Sequence, residues 1–207
     1  MLRHGGLPFS ATVALYPACD AVDATLRVFR KRQAAARPAD VFSDDLDAVT
    51  MASYVSAFAS DRALRPSYDV ETLNWLIDAF ADDAAQRGRL HKVALRTSSG
   101  RPLGWYLYYL GSTGAAEVLQ IGGKEDAIGD VVDHLFNHAR HRGAVAVTGP
   151  IDARLVGALS DKHCAFHRPR NTWALFHSRD ARIAEAIHAG DAFLSRVENA
   201  PWVDIES

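Results

Sequence analysis

The clearest pattern of hydrophobic and polar positions runs through the middle of the chain. Apolar runs near residues 90–97, 103–110 and 115–121 are separated by the turn-forming stretches 98–101 and 111–114. Strands joined by short, glycine-containing turns pair with their neighbours in sequence. The pattern therefore predicts an antiparallel meander of three strands.

A glycine pair separates this meander from an amphipathic helix. After Gly122 and Gly123, apolar residues recur three and four positions apart up to Ala139, and Gly143 follows as a stop signal. The first N–H groups of a helix have no internal partner, so an anion can bind there when glycine lets it approach. The glycines could equally do no more than turn the chain, and both interpretations stay open.

The flanking segments predict further elements. Residues 144–148 are typical of a short buried strand. Helices that first cluster and then alternate with strands indicate an α/β fold with a mixed sheet and helices on both faces. The other predicted elements are strands at 12–16 and 173–177 and helices at 20–36, at 44–61, capped by residues 43–45, and at 70–86, 153–164 and 181–188.

Composition narrows the class of protein. Of 207 residues, 48% are hydrophobic and 23% are charged, which is typical of a globular chain. The net charge of −2 argues against a nucleic-acid partner, although residues 27–37 are basic. Two distant cysteines suit a reducing compartment, and no apolar run approaches the ~20 residues that span a membrane. We expect a cytoplasmic protein without a membrane span.

Three histidines follow a helical spacing on the predicted helix after the glycine pair. No cysteine lies near His134, His138 and His141 in the sequence to complete a set of metal ligands. We therefore predict a solvated helix face and no metal site.

The order of elements, with the loop after the third strand, resembles the Gcn5-related N-acetyltransferase family. In that family the loop has Gln or Arg, two residues, Gly, one residue, then Gly or Ala. Gln120 and Gly123 match this pattern, whereas Glu125 stands where a small residue is expected. Residues 64–203 resemble, more closely, the C-terminal acetyltransferase-like domain of two-domain, Fem-related proteins of polysaccharide biosynthesis. This likeness suggests that residues 1–60 are a remnant of a first half and that 61–207 are the acyltransferase domain.

The resemblance implies transfer of an acetyl group from acetyl-CoA to an amine of a small molecule or sugar precursor, without a metal. Pantetheine would pair with the backbone of residues 118–121, and the pyrophosphate would meet the N–H groups of residues 122–127. The predicted cofactor-binding residues are Val118, Leu119, Gln120, Ile121, Gly122, Gly123, Lys124 and Ala127.

The resemblance also suggests catalytic groups. Glu117 is the candidate general base, and Tyr109 is a candidate acid for the leaving thiolate, with Tyr106 and Tyr108 as alternatives. Strand alternation places Glu117 and Gln120 on opposite faces unless a bulge intervenes. An exposed strand position for Glu117 and core positions for the tyrosines are the competing interpretations.

A second class of function competes with the enzyme. The departure at Glu125 and the absent first half favour a degenerate domain that acts as a binding or assembly module, or only as a homodimer. Fem-like aminoacyl transfer from a charged carrier is a third hypothesis, supported only by the basic residues 27–37.

Overall fold

A five-stranded mixed sheet forms the centre of the protein. The computed structural model describes residues 41–166 and 177–197. The strands lie in the order in which they occur in the chain; the first four are antiparallel and the last is parallel to the fourth. They are β1 (Val41–Asp45), β2 (Arg89–Thr97), β3 (Pro102–Leu110), β4 (Ala115–Gly123) and β5 (Ala146–Thr148). The predicted mixed sheet and its meander are confirmed.

Helices precede and follow the meander. The predicted helices at 70–86 and 181–188 are present, and Gly88, which ends the first of these segments, has a φ of 102°. The helix expected at 153–164 is shorter. The helices are α1 (Ala48–Phe58), α2 (Val70–Asp82), α3 (Ala84–Arg87), α4 (Ile128–His141), α5 (Leu155–Asp161) and α6 (Ala181–His188), with a 3₁₀ turn at Glu125–Ala127. In the described part of the chain no helix combines the length and apolar character needed to cross a membrane.

Strand β1 corrects the helix predicted from residue 44. Its residues pair with β2, and α1 begins only after Asp47, whose carboxylate accepts a hydrogen bond from the backbone N–H of Thr50 at 2.7 Å. The predicted cap residues Asp44 and Asp45 instead form cross-strand ion pairs, the latter with Lys92. Such pairs stabilise a strand that has little apolar surface of its own.

Residues 41–58 thus pair and pack with the sheet. The predicted division near residue 60 stays a prediction, because residues 1–40 lie outside the described part. Also outside it are the strand expected at 12–16, the helix expected at 20–36, the basic residues 27–37 and most of the strand expected at 173–177.

Two hydrophobic layers cover the two faces of the sheet. Successive side chains of β3 point to opposite faces, so Trp105 packs with α1 and α2 while Tyr106 packs with α4. Because both faces are covered, β3 is buried almost throughout, which explains its unbroken run of apolar and aromatic residues.

The glycine pair is part of the strand and not of the turn. Gly122 and Gly123 are the last residues of β4, and neither has a positive φ. A Cβ on Gly122 would overlap the indole of Trp105, and one on Gly123 would lie 2.8 Å from the carbonyl oxygen of Leu103. Glycine is needed here because neighbouring groups approach the backbone closely.

The strand predicted at 144–148 is shorter and more exposed than expected. Only Ala146–Thr148 are in strand conformation, and Val145 is 83% exposed. This strand pairs with β4 over three residues, so little of it is covered.

Candidate functional site

A bulge interrupts β4 beside the point where β5 ends. Leu107 pairs with Gln120, whereas the next residue, Tyr108, pairs with Val118, so Leu119 is an extra residue in β4. The extra residue reverses the strand alternation beyond it. Glu117 and Gln120 consequently share the face of the sheet that carries α1 and α2, which is the condition that the predicted site required.

The parallel pairing of β4 with β5 is short. Glu117 pairs with Thr148, and β4 then continues to Gly123 without a partner in β5. A cleft opens beside this unpaired end. It is lined by Ile121, Gly122, Gly123, Glu125, Ile128, Asp152, Arg154, Leu155 and Phe193.

The cleft offers about 20 Å³ of space to solvent. A single water molecule requires about 10–15 Å³ by this kind of measure. The cleft therefore holds about one water molecule and is too small for the pantetheine arm that the resemblance implies.

Residues 191–197, here called the strap, cross this region. The strap is anchored to the loop between α1 and α2, because Leu64 donates its N–H to the carbonyl of Asp191 at 3.2 Å and accepts from Phe193 N–H at 2.8 Å. Further along, Arg196 N–H donates to the carbonyl oxygen of Leu119 at 3.0 Å. The backbone carbonyl of Leu119 at the bulge is therefore already hydrogen-bonded to the strap.

A buried chain of hydrogen bonds joins the strap to the sheet. Trp105 Nε1 donates to Gln120 Oε1 at 2.7 Å, and Gln120 Nε2 donates to Ser195 Oγ at 3.0 Å. Gln120 is fully buried, and Phe193 packs against Trp105 with ring centroids 6.0 Å apart. Satisfied polar groups of this kind fix one arrangement, because breaking the chain would leave a buried amide without a partner.

Glu117 forms an ion pair with Arg196 of the strap. The two side chains are 29% and 43% exposed, respectively. Burial, followed by repulsion from Arg87, lowers the pKa of Arg196 from its usual value. The carboxylate of Glu117 thus faces a cation of its own chain.

The predicted pyrophosphate region is occupied by groups of the chain itself. Lys124 N–H donates to Leu103 O at 3.0 Å, and Ala127 N–H donates to Lys124 O at 3.1 Å. Glu125 and Asp126 bring two carboxylates into the first turn. These carboxylates are favourable at a helix N-terminus and would repel a pyrophosphate.

Only part of the predicted cofactor-binding set lines the cleft. Ile121, Gly122 and Gly123 line the cleft, whereas the side chain of Val118 belongs to the core on the opposite face. Leu119 and Ala127 are buried. Acetyl-CoA does not fit while the strap is docked, because the Leu119 carbonyl then accepts the Arg196 N–H and the cleft is too small.

Tyr109 lies in the core on the same face of the sheet as Glu117. Its hydroxyl donates to the carbonyl oxygen of Phe80 at 2.7 Å, and the residue is 1% exposed. Burial raises the pKa of Tyr109 to about 12. The hydroxyl proton that a catalytic acid would donate is engaged in this hydrogen bond. The contact does not favour Tyr109 as the acid, and its role stays a prediction.

His134 and His138 of α4 are not on a solvated face, and that prediction is wrong for them, whereas His141 is exposed as predicted. His134 is 7% exposed, and its Nδ1 lies 2.9 Å from the hydroxyl oxygen of Tyr106. His138 Nδ1 lies 3.0 Å from the hydroxyl oxygen of Tyr108. The spacing of His134 and His138 relative to Val131 already places them on the buried stripe of the helix.

Within residues 41–166 and 177–197 no group of three or more His, Cys, Asp or Glu side chains could hold a metal ion. The sequence analysis also did not single out Phe193, which lines the cleft, or Ser195 and Arg196, which contact Gln120 and Glu117. Apolar residues at 193 and 197 gave the only local signal that the strap is buried.

Comparison with known proteins yields similarity in structure only. No protein-family model matches the sequence, and no curated protein matches it. An acetyltransferase from Trypanosoma brucei is 11% identical, covers 66% of this chain and 100% of its own, and has a TM-score of 0.45. A ribosomal-protein-alanine N-acetyltransferase from Brucella melitensis is 18% identical, with coverages of 66% and 99% and a TM-score of 0.42.

A protein from Thermus thermophilus is 16% identical, with coverages of 67% and 99% and a TM-score of 0.42. Two of these three neighbours are acetyltransferases by name, the class of protein that the sequence resembles. At these identities and TM-scores the likeness carries no conclusion about family or activity. The kinship with two-domain, Fem-related proteins stays a prediction.

Proposed function

We propose that this chain is an acyl-CoA-dependent N-acyltransferase that acetylates an amine of a small molecule or sugar precursor. We further propose that the strap keeps its cofactor cleft closed until it is displaced. The proposal rests mainly on the bulge at Leu119, which brings Glu117 and Gln120 onto one face beside the end of the β4–β5 pairing.

Glu117 would act on the acceptor. At neutral pH an amine is mostly present as an ammonium ion, and it must lose a proton before its lone pair can attack an acyl group. Glu117 offers a carboxylate at the bulge once Arg196 has moved away with the strap. Acetyl-CoA, when bound, would supply the acyl group.

The strap would govern the affinity for acetyl-CoA. Its Arg196 N–H binds the Leu119 carbonyl, which lies in the segment where pantetheine would form backbone hydrogen bonds. A ligand that binds only the open form has an apparent affinity reduced by the fraction of molecules that are open. Weak binding by the intact protein is therefore expected.

A second function, a binding or assembly module without catalysis, is supported by a different observation. The carboxylate of Glu117, the proposed base, is already paired with Arg196, and Glu125 adds a second carboxylate to the cleft lining. Under this alternative the strap stays docked on the sheet. A homodimer and a cytoplasmic location remain predictions, to be tested by sedimentation and by cell fractionation.

The deciding experiment is a calorimetric titration of the full chain with acetyl-CoA, with free CoA as the control. An acetyl-transfer assay over a panel of small amines follows, comparing Glu117→Gln with the wild type. We expect saturable binding in both proteins and a loss of turnover of about 10²-fold or more in Glu117→Gln.

Glu185→Gln, which changes an exposed glutamate of α6, is the matched control and should keep full activity. Absence of acetyl-CoA binding, both in the wild type and in a variant with a loosened strap, would overturn the enzyme proposal in favour of the binding module.

A further inference from the structure

A second groove lies beside the outer end of β2, on the side where β1 ends. It encloses about 320 Å³, within the range typical of sites for small molecules. Its lining includes two arginines, two histidines and two aspartates: Arg89, Arg142, His91, His138, Asp44 and Asp45. None of these residues belongs to the cleft at the end of β4.

The acidic residues of the groove are already paired. Asp45 accepts a hydrogen bond from Lys92 Nζ at 3.0 Å, and Asp44 accepts from the guanidinium of Arg96. Among the residues that the structure describes, Arg89 and Arg142 form no ion pair. The uncompensated charge of the groove is therefore positive.

His91 forms part of the wall and has an unsatisfied nitrogen. The residue is 8% exposed, and its Nε2 is buried without a hydrogen-bond partner among the described residues. Its ring stacks on Tyr108 with centroids 4.9 Å apart and meets the ring of His138 at 5.6 Å. A buried polar atom without a partner is costly, which indicates that the site is completed by a group from outside these residues.

The electrostatic environment of His91 agrees with an excess of positive charge. Burial lowers the pKa of His91 to about 4, and the charges of His138, Arg142 and Arg89 contribute to the same shift. His91 is consequently neutral near pH 7 and can serve as a hydrogen-bond donor or acceptor. An anion placed among these groups would relieve their mutual repulsion.

The backbone of β2 adds polar groups to the same groove. The last pair between β1 and β2 joins Asp45 to Val93, and Leu46 N–H then donates to Lys92 O at 3.4 Å. By strand alternation the N–H and C=O groups of Leu90 point to the same side, beyond the end of β1. Leu90 also lines the groove.

We propose that this groove binds a small molecule through a phosphate or carboxylate group held between Arg89 and Arg142. The planar guanidinium groups bind such oxyanions with two parallel hydrogen bonds. The volume leaves room for several further atoms, which the Leu90 backbone and the paired aspartates would contact. This site is independent of the proposed acyl transfer.

The test is an NMR titration of the full chain, following the ring resonances of His91 with inorganic phosphate in one arm and acetate in the other. We expect a saturable shift in at least one arm, and the responding arm identifies the anion chemistry. Arg89→Ala and Arg142→Ala should each weaken the affinity at least about tenfold.

Arg140→Ala is the matched control. Arg140 lies in the last turn of α4, two residues before Arg142, is exposed and does not line the groove, so its loss should leave the titration unchanged. His91→Phe keeps a ring against Tyr108 and removes the nitrogen; binding of the responding anion, followed through other groove resonances, should weaken. The proposal is overturned if neither anion gives a saturable shift, or if Arg140→Ala weakens binding as much as the groove variants do.

Discussion

Truncation of Phe193 tests whether the strap closes the cofactor cleft. The side chain is 4% exposed and packs against Trp105. Removing a buried phenylalanine ring costs about 3–5 kcal/mol in a protein core. If about half of this loss falls on docking of the strap, about 2 kcal/mol, the population of the open strap rises about thirtyfold.

The apparent affinity for acetyl-CoA should rise by the same factor in Phe193→Ala while the open form remains a minority. Calorimetry measures the affinity, and hydrogen exchange at the Arg196 amide, which donates to Leu119 in the closed form, measures opening of the strap. Phe166→Ala is the matched control, because Phe166 is 49% exposed and lies outside the strap. It should change neither quantity.

Two results would refute this reasoning. In the first, Phe193→Ala accelerates exchange of the Arg196 amide and acetyl-CoA still does not bind, so the strap is not what excludes it. In the second, wild-type protein binds acetyl-CoA while the Arg196 amide stays protected, so the cofactor does not use the backbone at the bulge.

Three further predictions concern the glycine pair, the acidic turn and the buried histidine. Gly122→Ala should lower the free energy of unfolding by about 1–3 kcal/mol through overlap with the neighbouring indole. Gly129→Ala, in open space on α4, should instead raise it by up to about 1 kcal/mol. Urea denaturation measures both free energies, and equal effects would contradict the packing argument. Glu125→Ala should tighten acetyl-CoA binding about two- to fivefold by removing a carboxylate from the cleft, and Asp126→Ala, outside the cleft lining, should have a smaller effect in the same titration. The pKa of His91 is lowered from 6.5 to about 4, so between these pH values the unfolded chain binds more protons and stability falls as pH drops, by about 1–3 kcal/mol at pH 4 relative to pH 7. Urea denaturation of His91→Phe should lack this component, and an unchanged pH dependence would show that other groups cause it.

Much of the architecture follows from local patterns. The three apolar runs, separated by glycine-containing turns, predicted β2, β3 and β4, and the spacing of three and four predicted α4 because a helix turns every 3.6 residues. Gly143 ends this helix with a φ of 99°, a conformation that glycine adopts without strain. Helix α6 begins and ends where the sequence predicted.

The misjudged features depend on partners that lie far apart in the chain. Asp44 and Asp45 look like helix caps until Arg96 and Lys92 are brought beside them. His134 and His138 look solvated until two tyrosine hydroxyls face them across α4 and β3. Local periodicity cannot encode such contacts, because each is made by side chains of two separately formed elements.

The candidate site likewise combines features encoded by local sequence with features set by contacts between distant segments. The sequence by itself determined that Glu117 and Gln120 lie on one strand before a glycine pair, and that a bulge would be needed to bring them together. Only the tertiary structure decided that the bulge exists, that Trp105 covers Gly122, and that Ser195, 75 residues beyond Gln120, accepts a hydrogen bond from its buried amide. A closed cleft is a property of how the strap packs on the sheet, and that packing is set by burial and hydrogen bonding between distant segments.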